Sequence, residues 1–120
     1  MTVKWPSGSA NETSDLLAIY REGAEGTSKS MPAKANKSHD KMHASYKQLR
    51  ESDAGKSGIM ELMEDISPHV RCWAAAHSLE WQPERAKSVL TALCELRGPC
   101  SFDAEMVLRE FDKGKLNFNY

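Results

Sequence analysis

Long apolar runs are missing from this chain. None is longer than Cys72 to Ala76, whereas a helix crossing a bilayer needs about 20 such residues. The first residues, Met1 to Pro6, have no apolar core of the kind a secretory signal carries, so a cytoplasmic protein is expected. Cysteine is sparse as well. Cys72, Cys94 and Cys100 are the three present, an odd number without Cys-x-x-Cys spacing, which indicates neither a disulfide framework nor a zinc knuckle. Reduced thiols that pack like small hydrophobes are expected instead. No stretch alternates apolar and polar residues with β-branched types, which excludes a sheet. A glycine-rich phosphate loop and a serine-centred nucleophile motif are also missing, and Gly55-Lys56-Ser57 lacks the upstream glycines of a P-loop.

What remains is an ordinary globular composition of 120 residues, 40% hydrophobic and 28% charged. That length supports one core. The net charge is −1, but its distribution is uneven: basic residues dominate between Lys29 and Arg50, acidic ones between Ile59 and Asp112. The two ends of the charge pattern suggest different partners.

Helical periodicity organises most of the chain. Residues 1–12, with Pro6, Ser7, Gly8 and Ser9, read as a loose arm with Trp5 as its docking residue. A first helix follows through Leu16, Leu17, Ile19, Tyr20 and Ala24, with Thr13 or Ser14 as its cap and Gly23 and Gly26 weakening its end. Thr27 to Pro32 is a polar connection. The second helix, Ala33 to Ser52, sets Ala35, Met42, Tyr46 and Leu49 on one stripe and Lys34, Lys37 and Lys41 on another. Asp53, Gly55, Ser57 and Gly58 mark a turn before a short helix from Ile59 to Ile66.

At the centre lies Ser67-Pro68-His69-Val70-Arg71-Cys72-Trp73, followed by Ala74, Ala75, Ala76 and Ser78. Ser67 is a natural cap, Pro68 suits the first helical position, and the small residues permit close helix contact. Pro83 opens a further helix to Arg97 whose apolar face is Ala86, Val89, Leu90, Leu93, Cys94 and Leu96, ended by Gly98 and Pro99. Ser101 is the expected cap of the last helix, with Phe102, Met106, Val107, Leu108 and Phe111 apolar and Gly114 at the left-handed C-terminal position. The class is all-α: an N-terminal arm, one helical domain over residues 13–116, and a tail over 117–120.

The second half thus contains two successive helix pairs, which bury their faces by stacking as solenoid units do. Leu62 to Arg71 with Ala74, Ala75 and Leu79 resembles a HEAT repeat. More widely, Lys34-x-Asn36-Lys37-x-x-Asp40-Lys41-Met42, Val70-Arg71-x-x-Ala74-Ala75, Pro83-Glu84-x-Ala86-x-x-Val89-Leu90 and Asp103-Ala104-x-Met106-x-Leu108 resemble a bacterial family of small all-helical proteins, classed as a domain of unknown function with an ARM/HEAT-like fold. The resemblance implies a right-handed α-α superhelix of about six helices, with Asp65 and Arg71 as a structural turn-and-ladder pair. It implies no activity, cofactor or catalytic residue.

Residues with chemical potential are scattered. His39 and His43 share a helix face four positions apart, but nothing at matching spacing supplies a third metal ligand, so solvent-facing histidines are expected. His69 reads as a residue near a helix cap and His77 as a packing residue. Cys100, just before the last helix, is the best candidate for a reactive thiol, and a base beside it is what the sequence leaves unplaced.

The functional expectation is a non-catalytic module that binds another protein, with no metal or cofactor. The acidic second half nominates Glu61, Glu64, Glu105, Arg109 and Glu110, together with Trp81 at a helix end. An immunity- or antitoxin-type protein that neutralises a basic toxin or effector is the specialisation suggested by resemblance and charge. The alternative is nucleic-acid binding through Lys34, Lys37, Lys41 and Lys47.

Overall fold

The computed structural model describes residues 10–27, 31–96, 98 and 100–119. Residues 1–9 with Trp5, part of the Thr27 to Pro32 connection, Arg97, Pro99 and Tyr120 lie outside the described residues. Within them the chain is all-α, with no strand. Six helices follow in order: α1 (Ala10–Gly26), α2 (Pro32–Leu49), α3 (Asp53–Glu61), α4 (Pro68–Ser78), α5 (Pro83–Glu95) and α6 (Ser101–Asp112), with a 3-10 turn at Leu62–Glu64. They fall into two compact units, residues 1–59 and 60–120.

In the first unit α1 packs along α2, and Tyr20, Ala24, Met42, Tyr46 and Leu49 are buried. Helix α1 begins earlier than the sequence suggests, so Thr13 and Ser14 lie inside it rather than capping it. Its glycines also have a different role from the expected one. A Cβ on Gly23 would stand 2.7 Å from the Ser38 carbonyl oxygen and 2.8 Å from Met42 Cβ, and one on Gly26 would collide with the Ser38 side chain. These residues remain helical and let two backbones approach, a use of glycine that packing rewards more than helix propensity penalises.

The same correction applies to the stretch read as a turn before Ile59. Helix α3 already starts at Asp53. The Ser52 hydroxyl accepts the Gly55 amide at 3.0 Å, and the Lys56 amide donates to the Ser52 carbonyl at 3.1 Å, so Ser52 caps the helix. Gly55 is pressed on the Leu49 carbonyl and Gly58 on the Leu17 side chain.

In the second unit α4 packs on α5 and touches α6, and α5 packs on α6. Ser67 caps α4 with its side chain accepting from the Val70 amide, and Pro68 occupies the first turn. Ala74, Ala75, Ala76 and Ser78 are buried with Val70 and Leu79, as their size suggests for a helix packed closely against two others. Helix α6 ends in a Schellman pair: Gly114, at φ 71°, donates to the Phe111 carbonyl and Lys115 to that of Glu110. Only a residue without Cβ takes that φ at no cost. Ser101 does not cap α6; its hydroxyl turns back to donate to the Gly98 carbonyl at 2.9 Å.

The segment after α6 is tied to α4. Phe118 meets the buried His77 ring edge-on at 4.5 Å, and Trp73 stacks on the same imidazole at 5.8 Å. His77, 1% exposed, is a packing residue between two aromatic rings.

Candidate functional site

In the second unit, the outward face of α6 departs from a simple core pattern. Ala104 is fully buried, while Val107, Leu108 and Phe111 are half-buried on the inner side. Phe102 and Met106, which the sequence reads with those apolar positions, instead point outward at 66% and 37% exposure. Four residues apart, they lie one above the other on the helix. Leu96, expected on the apolar face of α5, is 63% exposed just beyond the end of that helix.

Carboxylates are helix neighbours of the α6 pair, Glu105 three positions after Phe102 and Asp103 three before Met106. Glu95, Asp103 and Glu105 are exposed. The Cys94 thiol is pushed up by its partial burial and by the charges of Glu105 and Glu95, which places one acid from α5 and one from α6 near the same sulfur. Arg109 closes one side of the face, its Nη2 2.8 Å from Glu105 Oε1. The sequence nominates Glu105 and Arg109 but misses Phe102, Met106 and Leu96. Periodicity counts apolar residues on a helix without saying which of two possible faces finds a neighbour.

The other nominated residues lie elsewhere. Glu64 sits in the 3-10 turn and is bound to Arg85 of α5 at 2.5 Å, while Glu61 is exposed at the end of α3 and Glu110 is half-buried on α6. Trp81 is half-buried in the turn after α4. Of the basic residues proposed for nucleic acid, Lys34 and Lys37 are exposed and Lys47 is half-buried. Lys41 is engaged with Glu22 at 2.6 Å, at the side of a cleft of about 640 Å³ also lined by Arg21 and Ser38. Hydrogen bonding and charge from Lys41 hold the Glu22 carboxyl below its ordinary range.

His39 and His43 depart from the solvent-facing expectation. His43 is only 8% exposed. The two rings stack at 5.8 Å with 8° between their planes, and His43 stacks in turn on Tyr46 at 5.9 Å. Arg50 completes the column, its Cζ 5.1 Å from the Tyr46 ring centre. Parallel stacking satisfies these rings as packing surfaces. Among the described residues no group of three His, Cys, Asp or Glu side chains is arranged to hold a metal ion.

The base that the sequence could not place beside Cys100 is His69. Its Nδ1 lies 3.2 Å from Cys100 Sγ, at the start of α4, while Cys100 is the residue immediately before α6. Cys100 is 3% exposed and His69 half-buried. Cys72, three residues after His69 on α4, is buried too. Its thiol is pushed up to about 12 by burial first, then by Cys100, Asp103 and Cys94.

Comparison with protein-family models, with curated proteins and with solved structures gives no match. The class the structure defines is an all-α protein, in which no helix among the described residues is long and apolar enough to cross a membrane.

Proposed function

We propose that this chain is a non-catalytic protein-binding module that engages a basic partner through the outward face of α6 and the end of α5. The reading is carried by one observation: Phe102 and Met106, one helical turn apart, stand outward among Glu95, Asp103 and Glu105. Paired apolar side chains inside an acidic rim match a partner surface of opposite design, with apolar anchors flanked by lysine or arginine. Anchors of this kind supply affinity, and the charged rim supplies approach rate and selectivity. Within this class, an immunity- or antitoxin-type protein that neutralises a basic toxin or effector is the specialisation we favour.

The test is affinity capture at moderate salt with the wild-type chain and two variants, Phe102→Ser with Met106→Ser, and Glu105→Lys. The expected result is one stoichiometric basic protein, lost with the double variant and weakened by the charge reversal. Equal retention of every bound protein by all three baits sinks the reading. Nucleic acid released by rising salt, and lost on Lys34→Glu with Lys37→Glu, would move the site to α2.

A further inference from the structure

A second site lies inside the second unit. One helix and a loop contribute to it. Helix α4 presents His69 and Cys72 three positions apart on one side, and the loop before α6 brings Cys100 against His69, with Sγ 3.2 Å from Nδ1. The contact has two forms that differ by the place of one proton: a thiol donating to the imidazole, or a thiolate accepting from it. A sulfur and a nitrogen at hydrogen-bond distance are the arrangement by which a histidine activates a cysteine.

We propose that Cys100, His69 and Cys72 form a peroxide-reactive thiol site, in which Cys100 attacks, His69 takes its proton and Cys72 is the second thiol. In the first step the Cys100 proton passes to His69 Nδ1 and the sulfur attacks one oxygen of hydrogen peroxide. An S–O bond forms, the O–O bond breaks, and the departing hydroxide takes the proton from His69 to leave as water. Sulfur is oxidised by two electrons and the peroxide is reduced. In the second step the Cys72 sulfur attacks that of Cys100, and its proton leaves with the sulfenic hydroxyl as a second water. Two thiols and one peroxide become one disulfide and two waters.

Burial divides the work between the sulfurs. Cys72, its thiol pushed up to about 12 by burial, does not initiate; it reacts only with the sulfenic acid of Cys100, whose departing hydroxyl takes its proton. Cys100 has a base in contact, and its 3% exposure favours an oxidant hardly larger than water over bulky reagents. Cys94 is the most accessible of the three, but its partial burial and then the charges of Glu105 and Glu95 push its thiol up, which disfavours the thiolate.

The experiment treats the reduced, full-length protein with hydrogen peroxide and maps the cysteines by mass spectrometry without reduction. A Cys72–Cys100 disulfide is expected in the wild type, and Cys72→Ser should leave one added oxygen on Cys100. His69→Gln keeps an acceptor for the S–H but cannot carry the proton, so the rate at Cys100 should fall about tenfold or more. Iodoacetamide should label Cys94 before Cys100, the reverse of the peroxide order. Oxidation of Cys94 ahead of Cys100, or an unchanged rate in a folded His69→Gln protein, overturns the proposal. Should that variant unfold by circular dichroism, the wild-type pH profile decides. A Cys100 rate that changes little between pH 8 and pH 7 supports the site, and one that drops about tenfold over that unit, as for a thiol of pKa about 8.5, overturns it.

Discussion

Arg71 Nη1 lies 2.9 Å from the main-chain oxygen of Asp65 and 3.1 Å from that of Ile66. The Asp65 carboxylate, meanwhile, accepts the Ser67 amide at 2.9 Å. The residues named as a turn-and-ladder pair thus contribute three hydrogen bonds that fasten the same turn ahead of α4. Replacing Arg71 with methionine removes a charged donor from two carbonyls and should cost about 1–2 kcal/mol in denaturant unfolding. Asp65→Asn retains an acceptor for the Ser67 amide and should stay near wild type, whereas Asp65→Ala should lose about 1 kcal/mol. Equal losses for Asn and Ala would show that the carboxylate charge matters instead.

Gly23 supplies a direct test of the close α1–α2 contact. Its Cβ would meet backbone and Cβ atoms of Ser38 and Met42 at 2.7–2.8 Å, none of them the movable end of a side chain. Gly23→Ala should destabilise by about 1–3 kcal/mol despite alanine's better helix propensity. Gly98, with nothing within 4 Å of such a Cβ, is the control, and its alanine variant should unfold with the wild type.

The outward position of Phe102 makes an opposite prediction for a large aromatic residue. Phe102→Ser should change stability by no more than about 0.5 kcal/mol. Leu90→Ala, at a residue that is 0% exposed, should cost about 2–5 kcal/mol. A loss of comparable size at Phe102 would place that ring in the core and remove the proposed anchor.

Glu22 gives a pH signature. Because Lys41 lowers its folded pKa beneath the ordinary 4.5, the pair contributes above that value and its contribution fades as pH falls through the folded pKa. The melting temperatures of wild type and Glu22→Gln should therefore differ most near neutral pH and converge in acid. Because the pair is exposed, added salt should narrow the gap.

Phe118 anchors the segment after α6. Phe118→Ala removes its edge contact with His77 and should cost about 0.5–1.5 kcal/mol beyond the area lost. Trp73, stacked on that imidazole, should report the change in its fluorescence, and an unchanged spectrum with unchanged stability would show that the segment is not fastened there.

Local chemistry alone was enough to read the all-α class, the Ser67–Pro68 start of α4, the small-residue burial surface of Ala74 to Ser78 and the left-handed Gly114. Each depends on residues a few positions apart: a hydroxyl reaching a nearby amide, a ring that fixes φ, a missing Cβ. Three other features needed the tertiary structure. The glycines at 23, 26, 55 and 58 look like helix breakers until a neighbouring backbone or side chain stands where their Cβ would be. Phe102 and Met106 look like core residues until the inner face of α6 is occupied by Ala104 and Leu108. Cys100 remains a solitary thiol in sequence, because the base beside it is 31 residues away in the chain and only the packing of α4 near the start of α6 closes that separation to 3.2 Å.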